Sequence, residues 1–141
     1  MNKTPLIFGA CAAVLFTLIS VGIAHSTSDP PIGQGDAIRG KAAFEKRCTG
    51  CHALDYNREG PRLAGVYGRK SGSVADFPYS TELKRAGIVW GDRSLNAWLT
   101  DPDTLVPRNN MSFHVAKPDE RRDLIAFLKA SSTALNVSEG K

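Results

Sequence analysis

The chain has 141 residues, 42% apolar and 23% charged, which fits one globular domain and excludes a multidomain machine, a collagen and a disordered tail protein. Eighteen Lys and Arg against fourteen Asp and Glu leave a net charge of +4, too small an excess to argue for nucleic acid as a partner. Three cysteines cannot all pair. Cys11 sits in an apolar N-terminal run, so Cys48 and Cys51 are the only pair in the remainder, too close together to staple a fold of this size.

Leu6 to Ala24 is an uncharged, mostly apolar run, preceded by Asn2 and Lys3 and followed by Ala24-His25-Ser26, which offers small residues at the two positions a signal peptidase reads. The run exceeds the usual ~7–15 residues of a signal core and approaches the ~20 that span a bilayer. Residues 1–26 therefore read as a signal peptide or, alternatively, as an uncleaved anchor holding residues 5–24 in the membrane. Cleavage is the favoured reading, because the site is correctly placed and the single Lys3 is a weak cytoplasmic anchor. A buried helix of the folded domain fits poorly, since the run has no polar face. Cys11, preceded by Phe8-Gly9-Ala10, reads as one more small apolar residue rather than a lipidation site. Residues 27–35, with Pro30-Pro31, Gly33 and Gly35, read as a linker.

Residues 36–135 read as the folded domain. Asp36 caps a helix running to about Cys48, with Gly40 and Phe44 four apart on one face. Gly inside a helix costs about 1 kcal/mol against Ala, so Gly40 points to another backbone passing close by. Residues 49–79 contain many Gly and Pro and no clean period, a long loop of the kind that is usually functional. Ser80 to Ala86 reads as a short helix ended by Gly87. Asp92 caps a segment in which Leu95, Trp98 and Leu99 share a face, and Pro102 stops it. The clearest helix starts at Pro118, with Asp119 and Glu120 in its first turn, apolar Leu124, Ile125, Phe127 and Leu128, and Lys129 in its last turn. Residues 136–141 read as a flexible tail. No run alternates as a strand, so the class is all-α with long loops.

The chemistry lies in Cys48-Thr49-Gly50-Cys51-His52. C-x-x-C-H is the spacing at which two thiols add to the two vinyl groups of one haem while the following imidazole reaches its iron. Zinc is the poorer reading, because four ligands would have to come from these cysteines with His52 and His114 at an unusual spacing. Thioredoxin-like chemistry wants a βαβ context that is missing. A second axial position remains on such an iron, and its occupant separates an electron carrier from a haem enzyme, peroxidase or gas-binding protein with a labile sixth position. Beyond the N-terminal run the chain holds one methionine, Met111, in Pro107-Arg108-Asn109-Asn110-Met111-Ser112-Phe113, between two expected helices and off any apolar stripe. A core gap-filler, the usual fate of a lone Met, is weaker there.

The chain resembles the class I cytochromes c, the mitochondrial cytochrome c and bacterial cytochrome c2 type, over about Asp36 to Ser132. The resemblance rests on Gly40-x-x-x-Phe44, Cys48-x-x-Cys51-His52, Gly60-Pro61-x-Leu63-x-Gly65-Val66-x-Gly68-Arg69, Gly87-Ile88-Val89-Trp90, Met111-x-Phe113 and Asp123-Leu124-Ile125-Ala126-Phe127-Leu128. It implies several helices and long loops around one covalently bound haem c, with the first and last helices crossing at Gly40 and Phe44 against Leu124 and Phe127. It implies His52 and Met111 as axial ligands and the Pro61 carbonyl as acceptor for the His52 Nδ1 proton. By the same resemblance Arg69, Tyr79 and Trp90 hold a buried haem propionate, and Asn109 stands where a hydroxyl residue contacts the other.

The implied function is one-electron transfer rather than enzyme catalysis, by a monomer in the periplasm, soluble after cleavage or anchored to the inner membrane. The implied partners are membrane redox complexes: a cytochrome bc1-type donor and an oxidase or photosynthetic reaction centre acceptor. Three departures stand out. Trp98 replaces the usual tyrosine whose hydroxyl bonds the methionine sulfur, so that bond is either missing or made by the indole N–H instead. Arg108-Asn109-Asn110 replaces the common Gly-Thr-Lys, and the basic rim is thin, with Arg47, Arg108 and Lys117 beside an intruding Asp103, which implies weakly salt-dependent docking. His114, beside Met111, reads as a surface residue able to replace it at alkaline pH.

Overall fold

The computed structural model describes residue 1 and residues 34–139, with side chains to Thr133. The apolar run, its cleavage site and most of the expected linker lie outside the described residues. Among the described residues five helices follow in chain order: α1 (Ala37–Arg47), α2 (Thr81–Arg85), α3 (Asp92–Thr100), α4 (Pro102–Leu105) and α5 (Pro118–Glu139).

The carboxylate of Asp36 starts α1 by accepting the N–H groups of Ile38 (2.8 Å) and Arg39 (3.0 Å), two of the donors that a helix start leaves orphaned. This helix packs on α5. A Cβ at Gly40 would sit 1.9 Å from the Asp123 carbonyl oxygen and 2.8 Å from Phe127 Cβ, so only glycine allows the approach. One turn on, the rings of Phe44 and Phe127 meet with centroids 5.2 Å apart. Burying Phe44 removes it almost wholly from water, a contribution of roughly 1.5–3 kcal/mol. Asp123 binds the crossing from the α5 side: its carboxylate accepts from the Asp36 N–H (2.7 Å) and from Arg39 Nε (2.8 Å).

Gly35 belongs to this packing rather than to a linker, because its Cβ position lies 2.1 Å from the Arg122 carbonyl oxygen. The end of the chain differs as well. The helix α5 passes Lys129 and continues through Glu139, so residues 136–139 are helical where a tail is expected.

The long segment between α1 and α2 turns back on itself, and one antiparallel bridge, Lys70 to Val89, ties it to the stretch before α3. Around that bridge, Trp90 N–H donates to the Arg69 carbonyl (2.9 Å) and Gly68 N–H to the Trp90 carbonyl (2.7 Å). The backbones of Arg69 and Trp90 are thereby held side by side. No strand is built among the described residues. Gly91, not Asp92, caps α3, and Ser94 closes the turn by accepting the Gly91 N–H on its hydroxyl (2.8 Å). Pro102 does end α3, yet it also opens α4, since the Asp101 carboxylate accepts the N–H groups of Asp103 and Thr104 and Pro fits a first helical position.

The core gathers Phe44, Val66, Trp90, Leu95, Trp98, Leu99, Val106, Val115, Leu124, Ile125 and Leu128. Buried Arg121 fastens the chain on its way into α5, donating to the carbonyls of Val115 (2.7 Å) and Ala116 (3.0 Å) and to Asn96 Oδ1 (3.0 Å).

Candidate haem site

Helices and loops enclose an apolar cavity of about 400 Å³ that is partly open to solvent. Every sequence-predicted site residue lines it: Cys48, Cys51, His52, Pro61, Arg69, Tyr79, Trp90, Asn109 and Met111. They arrive from the end of α1, the long loop, the stretch before α3 and the loop before α5.

The cysteine side follows directly from α1. The chain continues as a tight turn in which Cys51 and His52 N–H groups both donate to the Cys48 carbonyl (3.1 and 2.8 Å), bringing both sulfurs and the imidazole to one wall. His52 is fixed from two directions. Its Nδ1–H donates to the Pro61 carbonyl at 2.8 Å, which leaves Nε2 as the basic ring nitrogen. Gly60 lies against the ring: a Cβ there would be 2.2 Å from His52 Cε1 and 2.6 Å from Nδ1. Burial holds the His52 pKa below its ordinary value, against the opposing pull of the Pro61 carbonyl, so the neutral imidazole that a metal needs is the favoured form. The Cys48 thiol is pushed up to about 11 by burial, with Arg47 working the other way. A thiol kept protonated is the reverse of a redox-active C-x-x-C pair, whose reactive sulfur is an easily formed thiolate.

The loop after α4 presents Met111 to the same cavity. Buried Trp98 donates its indole N–H to Met111 Sδ at 3.2 Å, so the bond that a tyrosine hydroxyl makes elsewhere is made here by the indole. Trp98 is held in turn by Trp90, ring centroids 5.3 Å apart at 62°, an edge-to-face pair. Asn109 accepts the Met111 N–H on Oδ1 (2.7 Å).

Arg69 is half-buried and donates to the carbonyls of Ala64 and Arg62, both at 2.8 Å. Burial pulls its pKa down, and no carboxylate among the described residues forms an ion pair with it. Tyr79 lies near enough to Arg69 for the guanidinium to oppose the upward push of burial on the phenol. A permanent cation in an apolar wall with only neutral partners favours an anion from a bound group.

A planar, largely apolar prosthetic group with two carboxylates and an iron fits this donor set. Two sulfurs and a nitrogen come from the end of α1, a thioether from the loop after α4, and a half-buried cation lines the same cavity. Sequence reasoning singles out the Gly60-Pro61 pair as a motif but misses that Gly60 forms the bed of the imidazole. The close approach is long-range in space, and only a glycine beside a proline hints at it.

The cytochrome c family model matches residues 37–132. Among curated proteins, the chain is 40% identical over 102 residues to cytochrome c of Chlamydomonas reinhardtii, covering 70% of this chain and 91% of that one. It is 47% identical over 98 residues to cytochrome c of Euglena viridis, covering 67% and 96%. Among solved structures, cytochrome cH from Methylobacterium extorquens aligns with a TM-score of 0.65 at 40% identity, covering 68% of this chain and 99% of that one. With matches of this extent and a site of this composition, the chain belongs to the cytochrome c family, with the all-α class I fold, and is a haem-based electron carrier whose haem c is bound covalently through Cys48 and Cys51.

Proposed function

We propose that His52 and Met111 are the two axial ligands of the haem iron, and that the protein shuttles single electrons between membrane redox complexes on the periplasmic side. One observation carries the ligand assignment: His52 and Met111 line the same cavity from different elements, His52 oriented through Nδ1 with Nε2 left over and the Met111 sulfur oriented by the Trp98 indole N–H, which uses one of its two lone pairs. When bound, the haem supplies a reversible one-electron couple between ferric and ferrous iron. The chain's residues would keep the coordination the same in both states. Pro61 would fix the tautomer and basicity of His52, while the Trp98 N–H would draw electron density from the Met111 sulfur, which favours the ferrous state. Arg69, Tyr79 and Trp90 would hold one propionate in the wall where Arg69 lacks an anionic partner.

Docking of a cytochrome bc1-type donor and of an oxidase or reaction centre acceptor would use the open side of the cavity, where Cys51 and Phe113 are exposed. Two of the three basic rim residues are already paired, Arg47 with Glu120 at 2.5 Å and Arg108 with Glu82 at 3.1 Å. That supports association with only weak dependence on salt. Export rests on the apolar run and its cleavage site, and among the described residues no helix is long and apolar enough to cross a membrane. In cell fractions, release predicts haem-staining protein in the periplasm, whereas full-length protein resisting a high-salt membrane wash would show an anchor instead.

The ligand assignment is tested by Met111→Ala. The variant keeps its covalent haem, loses the far-red thioether-to-iron band of the ferric protein, falls in potential and binds cyanide and carbon monoxide readily. An unchanged spectrum and potential would remove Met111 as ligand and move attention to His114.

A further inference from the structure

The loop that carries Met111 contains a side chain whose hydrogen-bonding groups are all directed into the loop itself. Asn109 Nδ2 donates to Asp103 Oδ1 at 2.9 Å and to the Val106 carbonyl at 3.0 Å, while Oδ1 accepts the Met111 N–H at 2.7 Å. A primary amide has two N–H donors, and both are engaged here. No donor is left for a haem carboxylate, even though Asn109 lines the cavity. The residue before it, Arg108, is the one non-glycine residue with positive φ (62°) among the described residues, a conformation that favours glycine and that neighbouring contacts must hold. On its exposed side Arg108 pairs with Glu82 of α2.

We infer that Asn109 is a positioning residue for the Met111 thioether, fastening α4 and its following turn to the ligand's own backbone, and is not a propionate ligand. The inference rests on Met111 being the axial ligand. The three bonds join Asp103 in α4, Val106 just after it and Met111 five residues further, so the amide spans the whole bend through which the chain must turn to aim Met111 inward. Trp98 orients the sulfur, whereas Asn109 orients the backbone from which the side chain springs. The two constraints are independent: one is a donor from α3 to Sδ, the other an acceptor within the loop for the N–H.

The test uses the haem-loaded protein and exogenous imidazole, which competes with the thioether for ferric iron. Asn109→Ala removes all three bonds and is expected to raise imidazole affinity about tenfold, the lower end of what loss of a partner supporting a metal ligand produces, and to weaken the far-red band. The variant Asp103→Ala removes only the bond between Asp103 and Asn109, and Asp103 does not line the cavity. It should raise imidazole affinity part of the way on its own and add nothing further in the Asn109→Ala background, a non-additivity that a role limited to general stability would not produce.

If wild type has the far-red band and Asn109→Ala leaves imidazole affinity unchanged, the positioning role is wrong while Met111 stands as ligand. If Asn109→Ala raises affinity but Asp103→Ala does not, or the two effects add in full, the Asp103–Asn109 bond is not what holds the ligand, and the inference fails in that form. If wild type lacks the band and Met111→Ala leaves imidazole affinity unchanged, the ligand assignment itself is overturned.

Discussion

The two walls of the cavity are built in opposite ways. On the cysteine side, both sulfurs and the imidazole come from five consecutive residues continuing α1, held by backbone bonds to the Cys48 carbonyl. On the methionine side, one sulfur is aimed by Trp98 from α3, by Asn109 within the loop and, through the entry to α5, by Arg121. The first wall is local and closely packed, as Gly60 against His52 shows. The second is assembled from separate polar contacts. Disturbing the first wall should therefore be a matter of sterics and folding, and disturbing the second a matter of potential and ligand exchange.

Gly60→Ala is the strongest way to break the first wall. Its Cβ would overlap the imidazole, so the ring must leave its place or the loop must move, at a cost of about 3 kcal/mol or more. Denaturant unfolding of the haem-loaded variant, together with the far-red band, measures it. Stability and spectrum both unchanged would mean that the His52 wall is looser than its geometry indicates.

Next in size is the crossing that carries that wall. Arg39 and the Asp36 N–H hold the Asp123 carboxylate below the usual carboxylate range, with Arg39 the first cause. A depressed carboxylate stabilises the fold above its unfolded pKa and stops doing so as pH falls through the folded value. Asp123→Asn should therefore lower stability by about 1–2 kcal/mol at neutral pH and flatten the acid limb of the stability profile. Asp76 and Asp101, also depressed, keep part of that limb. An acid limb identical to wild type would remove Asp123 from it.

The smallest effect sharpens the second wall. Trp98→Phe keeps an aromatic ring but deletes the N–H donated to Met111 Sδ, so the sulfur donates more strongly to ferric iron. The potential should fall by about 20–40 mV, the one-electron equivalent of about 0.5–1 kcal/mol, beside the stability lost to the cavity that the smaller ring leaves in the core. Voltammetry reads it, and an unchanged or raised potential would contradict the tuning role.

Legibility in the sequence follows the same division. The cysteine wall is contiguous, so its spacing alone announces its chemistry, and Gly40 in a helix betrays the crossing because glycine there is costly without a reason. The packing of Gly35 on α5 is invisible, since a glycine among prolines and glycines reads as linker until the Arg122 carbonyl is placed beside it. The helix α4 is missed because Pro102 is both a stop for α3 and a permitted first residue of a new turn, and the Asp101 cap decides between them. The extension of α5 past Lys129 is missed because the apolar stripe thins there while the residues stay compatible with helix. Asn109 is the instructive case: family position suggests a propionate contact, whereas the directions of its three hydrogen bonds, which no sequence displays, tie it to Met111.

Selective methyl labelling of methionine tests the central claim most directly, because the chain contains only two methionines, Met1 and Met111. In the proton spectrum of the ferrous protein, axial ligation places the Met111 methyl above the porphyrin face. One labelled methyl resonance should then lie far upfield of free methionine and vanish in Met111→Ala. Labelled methyls confined to ordinary methionine shifts would contradict His52 and Met111 as the axial pair.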